Sequence, residues 1–215
     1  MIYIVGLGPG HRDYIMPKAL ETMKKSNIII GFKRAIDSLD FIDNKKIYIN
    51  KLSDIDKFID GKENEEKDIL INKEKTNKNI SIVASGDPTF YGITNYIKSK
   101  TELEIEVIPG LSSFQYLTCN IKMPWNNAYL GSLHGRSEEF LEQINNSELS
   151  IWLTDKENNP SFLCKILHDA KIKCKIVIGE NLSYEDEIIS EGIPKDFINR
   201  KCSPLSIFIV YKVNE

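Results

Sequence analysis

Four short segments carry residue types able to do chemistry. Gly6-Leu7-Gly8-Pro9-Gly10 and Ser85-Gly86-Asp87-Pro88-Thr89 each follow an apolar, β-branched run, and Pro109-Gly110-Leu111-Ser112-Ser113 ends a third. Small residues at the end of a parallel strand leave backbone N–H groups uncovered, and the next helix adds its positive dipole end. α/β proteins hold polar ligands by this means. Each segment also has a local explanation. Asp87 and Pro88 read as an N-cap and first helical residue, and Ser112 with Gln115 reads as a capping box. Those explanations leave over the coincidence that three such loops follow three strands. The fourth segment, Leu130-Gly131-Ser132-Leu133-His134-Gly135-Arg136, sets an imidazole and a guanidinium one glycine apart, a pairing suited to an anionic substrate. A structural histidine is an equal reading of His134.

Several chemistries fall away. The dinucleotide fingerprint needs a glycine where His11 stands, Pro9 removes an N–H from the loop, and Gly31-Phe32 occupy the place of the ribose-binding acid. No Walker lysine follows the glycines. Cys119, Cys164, Cys174 and Cys202 lack CxxC spacing and have no histidine at ligand distance, so no protein-bound metal is expected. With 28 basic and 31 acidic residues, net −3, the chain has no electrostatic footprint for nucleic acid. The most apolar stretches, 27–32 and 205–211, are far shorter than the roughly 20 residues of a membrane span. The chain opens directly on a strand-like run without a signal pattern, so a cytoplasmic protein is expected.

The elements that must position these loops alternate. Strands are predicted over 2–7, 27–31, 46–49, 80–84, 103–108, 129–133, 149–154, 174–179, 186–190 and 205–211. Helices are predicted over 17–25, 33–39, 54–72, 89–99, 112–120, 138–144, 161–170 and 195–200. The pattern argues an α/β fold of two domains, each a mixed, largely parallel sheet with helices. The cut is expected after residue 121, giving domains 1–121 and 122–215. The charge-rich 54–79 stretch reads as a solvated helix and loop.

Taken together, GLGPG, SGDPTFYG, VIPGLSS and GENLSYEDE, in this order and spacing, resemble the tetrapyrrole (corrin/porphyrin) methylases. The resemblance spans nearly the whole chain. Ser132-Leu133-His134-Gly135-Arg136 and Gly31-Phe32-Lys33-Arg34 resemble the branch that methylates C5 of cobalt-precorrin-7 in cobalamin biosynthesis. The resemblance implies a two-domain fold with S-adenosylmethionine in the interdomain cleft and S-adenosylhomocysteine as its product. It implies cofactor contacts from Pro9, Gly86, Asp87, Tyr91, Ser112, Ser113, Leu153, Thr154, Asn181 and Leu182. Gly8, His11, Arg12, Lys33, Arg34 and Arg136 would meet the carboxylates of a corrin, and His134 is the candidate base. It further implies a homodimer. Some relatives fuse this module to a decarboxylating methyltransferase, so a separate C15-methylating partner is expected. The alternatives are a sister enzyme acting at another ring position and a non-catalytic metabolite-binding α/β protein. One departure is Met16, where the family usually has a threonine able to cap the next helix.

Overall fold

The structure, a computed structural model, describes residues 1–60, 79–133 and 139–213. The chain divides into two compact units, Met1–Ser112 and Ser113–Glu215.

In the first unit, β1 (Ile2–Gly6), β2 (Ile28–Phe32), β3 (Lys45–Ile49), β4 (Ile80–Ala84) and β5 (Ile105–Ile108) form one sheet in the order β3-β2-β4-β1-β5. Every pairing is parallel. Strand periodicity divides the side chains between two faces. Ile2, Ile4, Ile28, Ile30, Ile80 and Ile82 pack on one face with Ile55 and Phe58 of the segment around α3 (Asp56–Ile59) and Ile97 of α4 (Thr94–Lys98). Val5, Ile29 and Val83 pack on the other with Ala19 and Met23 of α1 (Pro17–Lys25) and Ile36 of α2 (Lys33–Asp37). Both faces are therefore covered, as an all-parallel sheet requires. The first two crossovers run toward the β3 edge and the later ones back toward β5, so the chain reverses direction beside β1. A reversal of this kind is where open α/β sheets bind ligands.

The second unit contains α5 (Ser113–Asn120), α6 (Phe140–Asn146) and α7 (Pro160–Asp169) with a sheet in the order β6-β7-β10-β8-β9. Its strands are β6 (Tyr129–Ser132), β7 (Leu149–Leu153), β8 (Cys174–Glu180), β9 (Ile188–Gly192) and β10 (Ser206–Lys212). Trp152, Phe208, Ile176 and Ile178 pack with Phe140 of α6 and Leu163 and Leu167 of α7.

Four expectations need correction. Only β6 and β7 pair in parallel; the other three pairings of the second sheet are antiparallel, so "largely parallel" holds for the first sheet alone. Helix α5 belongs to the second unit, whereas the cut after residue 121 assigned it to the first. The helix expected over 89–99 is reduced to α4, because Tyr91 takes a left-handed φ of 52° and Thr94, not residue 92, bonds the Pro88 carbonyl. The helix expected over 195–200 is a 3₁₀ turn, Pro194–Asp196. Most of the expected 54–72 helix lies outside the described residues. No helix among the described residues is long and apolar enough to cross a membrane.

Candidate functional site

In the first unit, Gly6 pairs with Ala84 and Val5 with Ile108, so β1, β4 and β5 end level. The three loops that follow are in backbone contact. Gly8 N–H donates to the Gly86 carbonyl at 3.3 Å and Gly86 N–H to the Gly8 carbonyl at 2.8 Å. A Cβ on Gly110 would lie 2.2 Å from the Gly86 oxygen, inside any tolerable contact, so this approach requires glycine. Gly86 differs: its φ is +67°, and a Cβ there would meet only the Ser112 Cα, at 3.8 Å. Open space in front of two bare stretches of backbone suits a polar ligand recognised by main-chain groups.

Asp87 joins the loops. Its Oδ1 accepts from the Thr89 amide at 2.8 Å and from the Thr89 hydroxyl, and its Oδ2 accepts from the Gly110 amide at 3.1 Å. Partial burial pushes this carboxyl up, but the bonds from Thr89, Gly110 and Phe90 outweigh burial and hold it below the usual carboxylate range. Ser112 is buried and Ser113 half-buried at the start of α5, Pro9 is buried beside Gly8, and Tyr91 is exposed.

The expected cations of this unit behave differently from one another. Arg34 Nη2 donates to Ser85 Oγ at 3.1 Å, which brings the guanidinium to the end of β4, one residue from Gly86. Lys33 is an exposed partner of Asp37, at 2.8 Å. Arg12 lies 3.9 Å from Asp13, and His11 Nδ1 accepts from the Asp13 amide at 3.3 Å as the cap of the Arg12–Tyr14 turn. All four are solvent-facing.

The second unit gathers its candidates at one end of its sheet. Ser132 is level with Leu153, Leu153 with Ile207, and Ser206 with Glu180. Thr154 is buried and its hydroxyl donates to the Ser206 carbonyl at 2.7 Å. Asn181 and Ser183 both adopt left-handed backbone, φ 48° and 69°, which costs a residue such as Ser183 roughly 1–2 kcal/mol and Asn181 less, since asparagine enters this region more readily. Leu182, between them, is buried and folds back on Gly179, where a Cβ would come within 2.8 Å of its Cδ2. His134 and Arg136 lie outside the described residues. Leu133, directly before them, donates its N–H to the Leu153 carbonyl at 2.8 Å.

Sequence reasoning held Ser85 and Glu180 only as members of their motifs, without the pairings to Arg34 and Arg200, and missed Arg200, Ser203 and Ser206 of the second unit. One signal was legible. Glu180 closes the apolar run Ile176-Val177-Ile178-Gly179, and an acid at the end of a buried strand needs a partner. No group of His, Cys, Asp and Glu among the described residues is arranged to hold a metal ion.

Residues 1–193 match the family model of Tetrapyrrole (Corrin/Porphyrin) Methylases. The chain is 34% identical to a probable cobalt-precorrin-7 C(5)-methyltransferase of Methanocaldococcus jannaschii, over 100% of this chain and 99% of that one. It is 30% identical to the cobalt-precorrin-7 C(5)-methyltransferase of Salmonella typhimurium, over 93% of each. Its fold is similar to the uroporphyrin-III C-methyl transferase of Thermus thermophilus solved with S-adenyl homocysteine, with TM-score 0.74 and 16% identity over 98% of this chain and 91% of that one. Glycine-built strand ends in the first unit, a strained and tied-down loop in the second, and a family match running through both lead to one assignment: the chain belongs to the tetrapyrrole (corrin/porphyrin) methylases.

Proposed function

We propose that the protein transfers a methyl group from S-adenosylmethionine to C5 of a cobalt-precorrin-7-type corrin, giving cobalt-precorrin-8 and S-adenosylhomocysteine. The similarity to two cobalt-precorrin-7 C(5)-methyltransferases along almost the whole chain carries this reading.

The residues present fit the cofactor at one testable point: a Cβ on Gly86 would fill the space in front of Ser112 that main-chain recognition needs. Bound S-adenosylmethionine supplies a methyl already activated as a sulfonium. The chain's own contribution is then to bind, orient and exclude water, which supplies most of the acceleration when no metal or covalent step is required. Gly86, Ser112, Pro9 and Tyr91 of the first unit, with Ser113 at the first position of the second, hold the cofactor, and Asp87 keeps the loops after β4 and β5 in register. Leu153, Thr154, Asn181 and Leu182 hold it from the second. Gly8, with Arg34, Arg12, Lys33, His11 and Arg136, meets the corrin and its carboxylates, where a net-negative protein needs local cations. His134 accepts the proton lost from the methylated carbon. The working form is a homodimer in the cytoplasm, with the decarboxylating C15 methylation on a separate protein.

Incubation with cobalt-precorrin-7 and methyl-labelled S-adenosylmethionine tests the reading. A single label at C5, located by NMR, is expected. Label at another carbon points to a sister activity, and no transfer with intact cofactor binding points to a binding protein. Light scattering at the mass of a single chain across micromolar concentrations would count against the dimer.

A further inference from the structure

The segment between Arg200 and Ser206 belongs to none of the motifs above, yet both candidate strand ends of the second unit are anchored to it. Ser203 N–H donates to Glu180 Oε1 at 2.7 Å, and Ser203 Oγ donates to Asn181 Oδ1 at 2.6 Å. Asn181 N–H donates to the Leu205 carbonyl at 3.0 Å, and Leu205 N–H to Ser203 Oγ at 3.2 Å. Ser206 Oγ donates back to the Ser203 carbonyl at 2.6 Å, while the Ser206 carbonyl accepts the Thr154 hydroxyl. Arg200 braces the turn from behind. Its guanidinium donates to Glu180 Oε2 and, at 2.7 Å, to Ser190 Oγ on β9, and it lies over the Phe197 ring at 5.6 Å. Glu180 is only 4% exposed, and Arg200 and Ser203 between them meet both of its carboxylate oxygens.

This investment is out of proportion to a connecting turn. A buried ion pair adds little to net stability compared with apolar packing; its best-attested use is to select one arrangement over others. The arrangement selected here is a strained one, with Asn181 and Ser183 both left-handed around the buried Leu182. Strain persists only where the surroundings over-determine it. Asn181 is fixed through three of its groups: its amide by Leu205, its side-chain oxygen by Ser203, and its side-chain nitrogen by Asp186 at 2.7 Å.

We propose that Ser203, Arg200 and Glu180 are positioning residues that fix the Asn181–Leu182 loop and Thr154 in the geometry that receives the cofactor. The proposal rests on the assignment of those strand ends to S-adenosylmethionine. Ser203 acts as the joint, and the Arg200–Glu180 pair holds the joint in place. None of the three touches the reacting atoms.

Calorimetric titration of the full chain with S-adenosylhomocysteine, paired with steady-state kinetics and thermal melts, tests it. Ser203→Ala removes one hydrogen bond to Asn181 and is expected to weaken S-adenosylhomocysteine binding about three- to tenfold. The KM for S-adenosylmethionine should rise in step while the KM for the corrin stays unchanged. Ser203→Thr, which restores the hydroxyl, should recover the affinity. Arg200→Lys keeps the charge but loses the two-pronged contact, and should weaken cofactor binding in the same direction. Variants that melt earlier yet bind S-adenosylhomocysteine as tightly as the parent overturn the proposal alone, since the segment would then serve stability only. A parent protein that binds no S-adenosylhomocysteine overturns the cofactor assignment and this proposal with it.

Discussion

The Asp87 carboxylate accepts the Gly110 amide at 3.1 Å, tying the loop after β4 to the loop after β5 across the end of β1. Both carboxylate oxygens are engaged by the protein itself, so Asp87 shapes the two loops more than it offers a free charge. Asp87→Asn should therefore weaken S-adenosylhomocysteine binding and cost about 1–2 kcal/mol of stability at neutral pH. The carboxyl is held below its ordinary value in the folded protein, so its contribution is complete above the unfolded carboxyl pKa of about 4 and is lost as pH falls through the folded value. Urea titrations of parent and variant from pH 3 to 7 should show the stability difference closing only at the acid end.

Gly110 and Gly86 should respond differently to alanine. Gly110→Ala forces a Cβ to within 2.2 Å of the Gly86 oxygen and should lower stability by more than about 2 kcal/mol, because backbone must move on both sides. Gly86→Ala meets no clash and loses only the cost of a left-handed alanine, about 1–2 kcal/mol, but fills the space in front of Ser112. It should fold and bind S-adenosylhomocysteine poorly. Equal effects of the two on stability and on binding would separate the glycines from the ligand.

Met16 sits at the N-cap of α1 with extended backbone, φ −62° and ψ 143°, and no side-chain cap bond; the first turn carries no acid. Met16→Asp or Met16→Thr should raise stability by about 0.5–2 kcal/mol, read as a higher midpoint in denaturant with unchanged slope.

The cations should separate by how they are held. Arg34 is delivered to the end of β4 by Ser85, whereas Lys33 is turned into an exposed pair with Asp37. Arg34→Ala should raise the corrin KM about 10- to 100-fold, the value of one charge-assisted contact, with Lys33→Ala well below that. Arg136→Ala should match Arg34→Ala and leave the KM for S-adenosylmethionine alone. His134→Ala should instead lower kcat. Unchanged corrin kinetics in all of these would place the polycarboxylate elsewhere.

Native-state alkylation should single out Cys119, which is exposed at the end of α5. Burial, with smaller contributions from Cys202, Cys174 and Asp196, pushes the Cys164 thiol up to about 12, and burial alone pushes Cys174 up to about 11. At pH 8 neither forms appreciable thiolate, so both should label only after unfolding. Mass spectrometry after a timed iodoacetamide pulse would show the order.

The sequence by itself determined the ten strands found among the described residues, because apolar, β-branched runs ending in glycine or polar residues have few other places to go than a buried sheet. It also determined the three glycine loops of the first unit, since residue type alone limits what backbone can approach backbone there. Strand direction in the second sheet was not legible: a strand buried on both faces reads the same whether its neighbours run with it or against it. Nor was the shortening of α4, which depends on a left-handed Tyr91 that no propensity favours. The pairs Arg34–Ser85, Asp87–Gly110 and Glu180–Arg200 were decided by the tertiary structure alone. Periodicity reports which side of an element is covered. It carries no information on which polar group, dozens of residues away, the fold will bring to meet a given one.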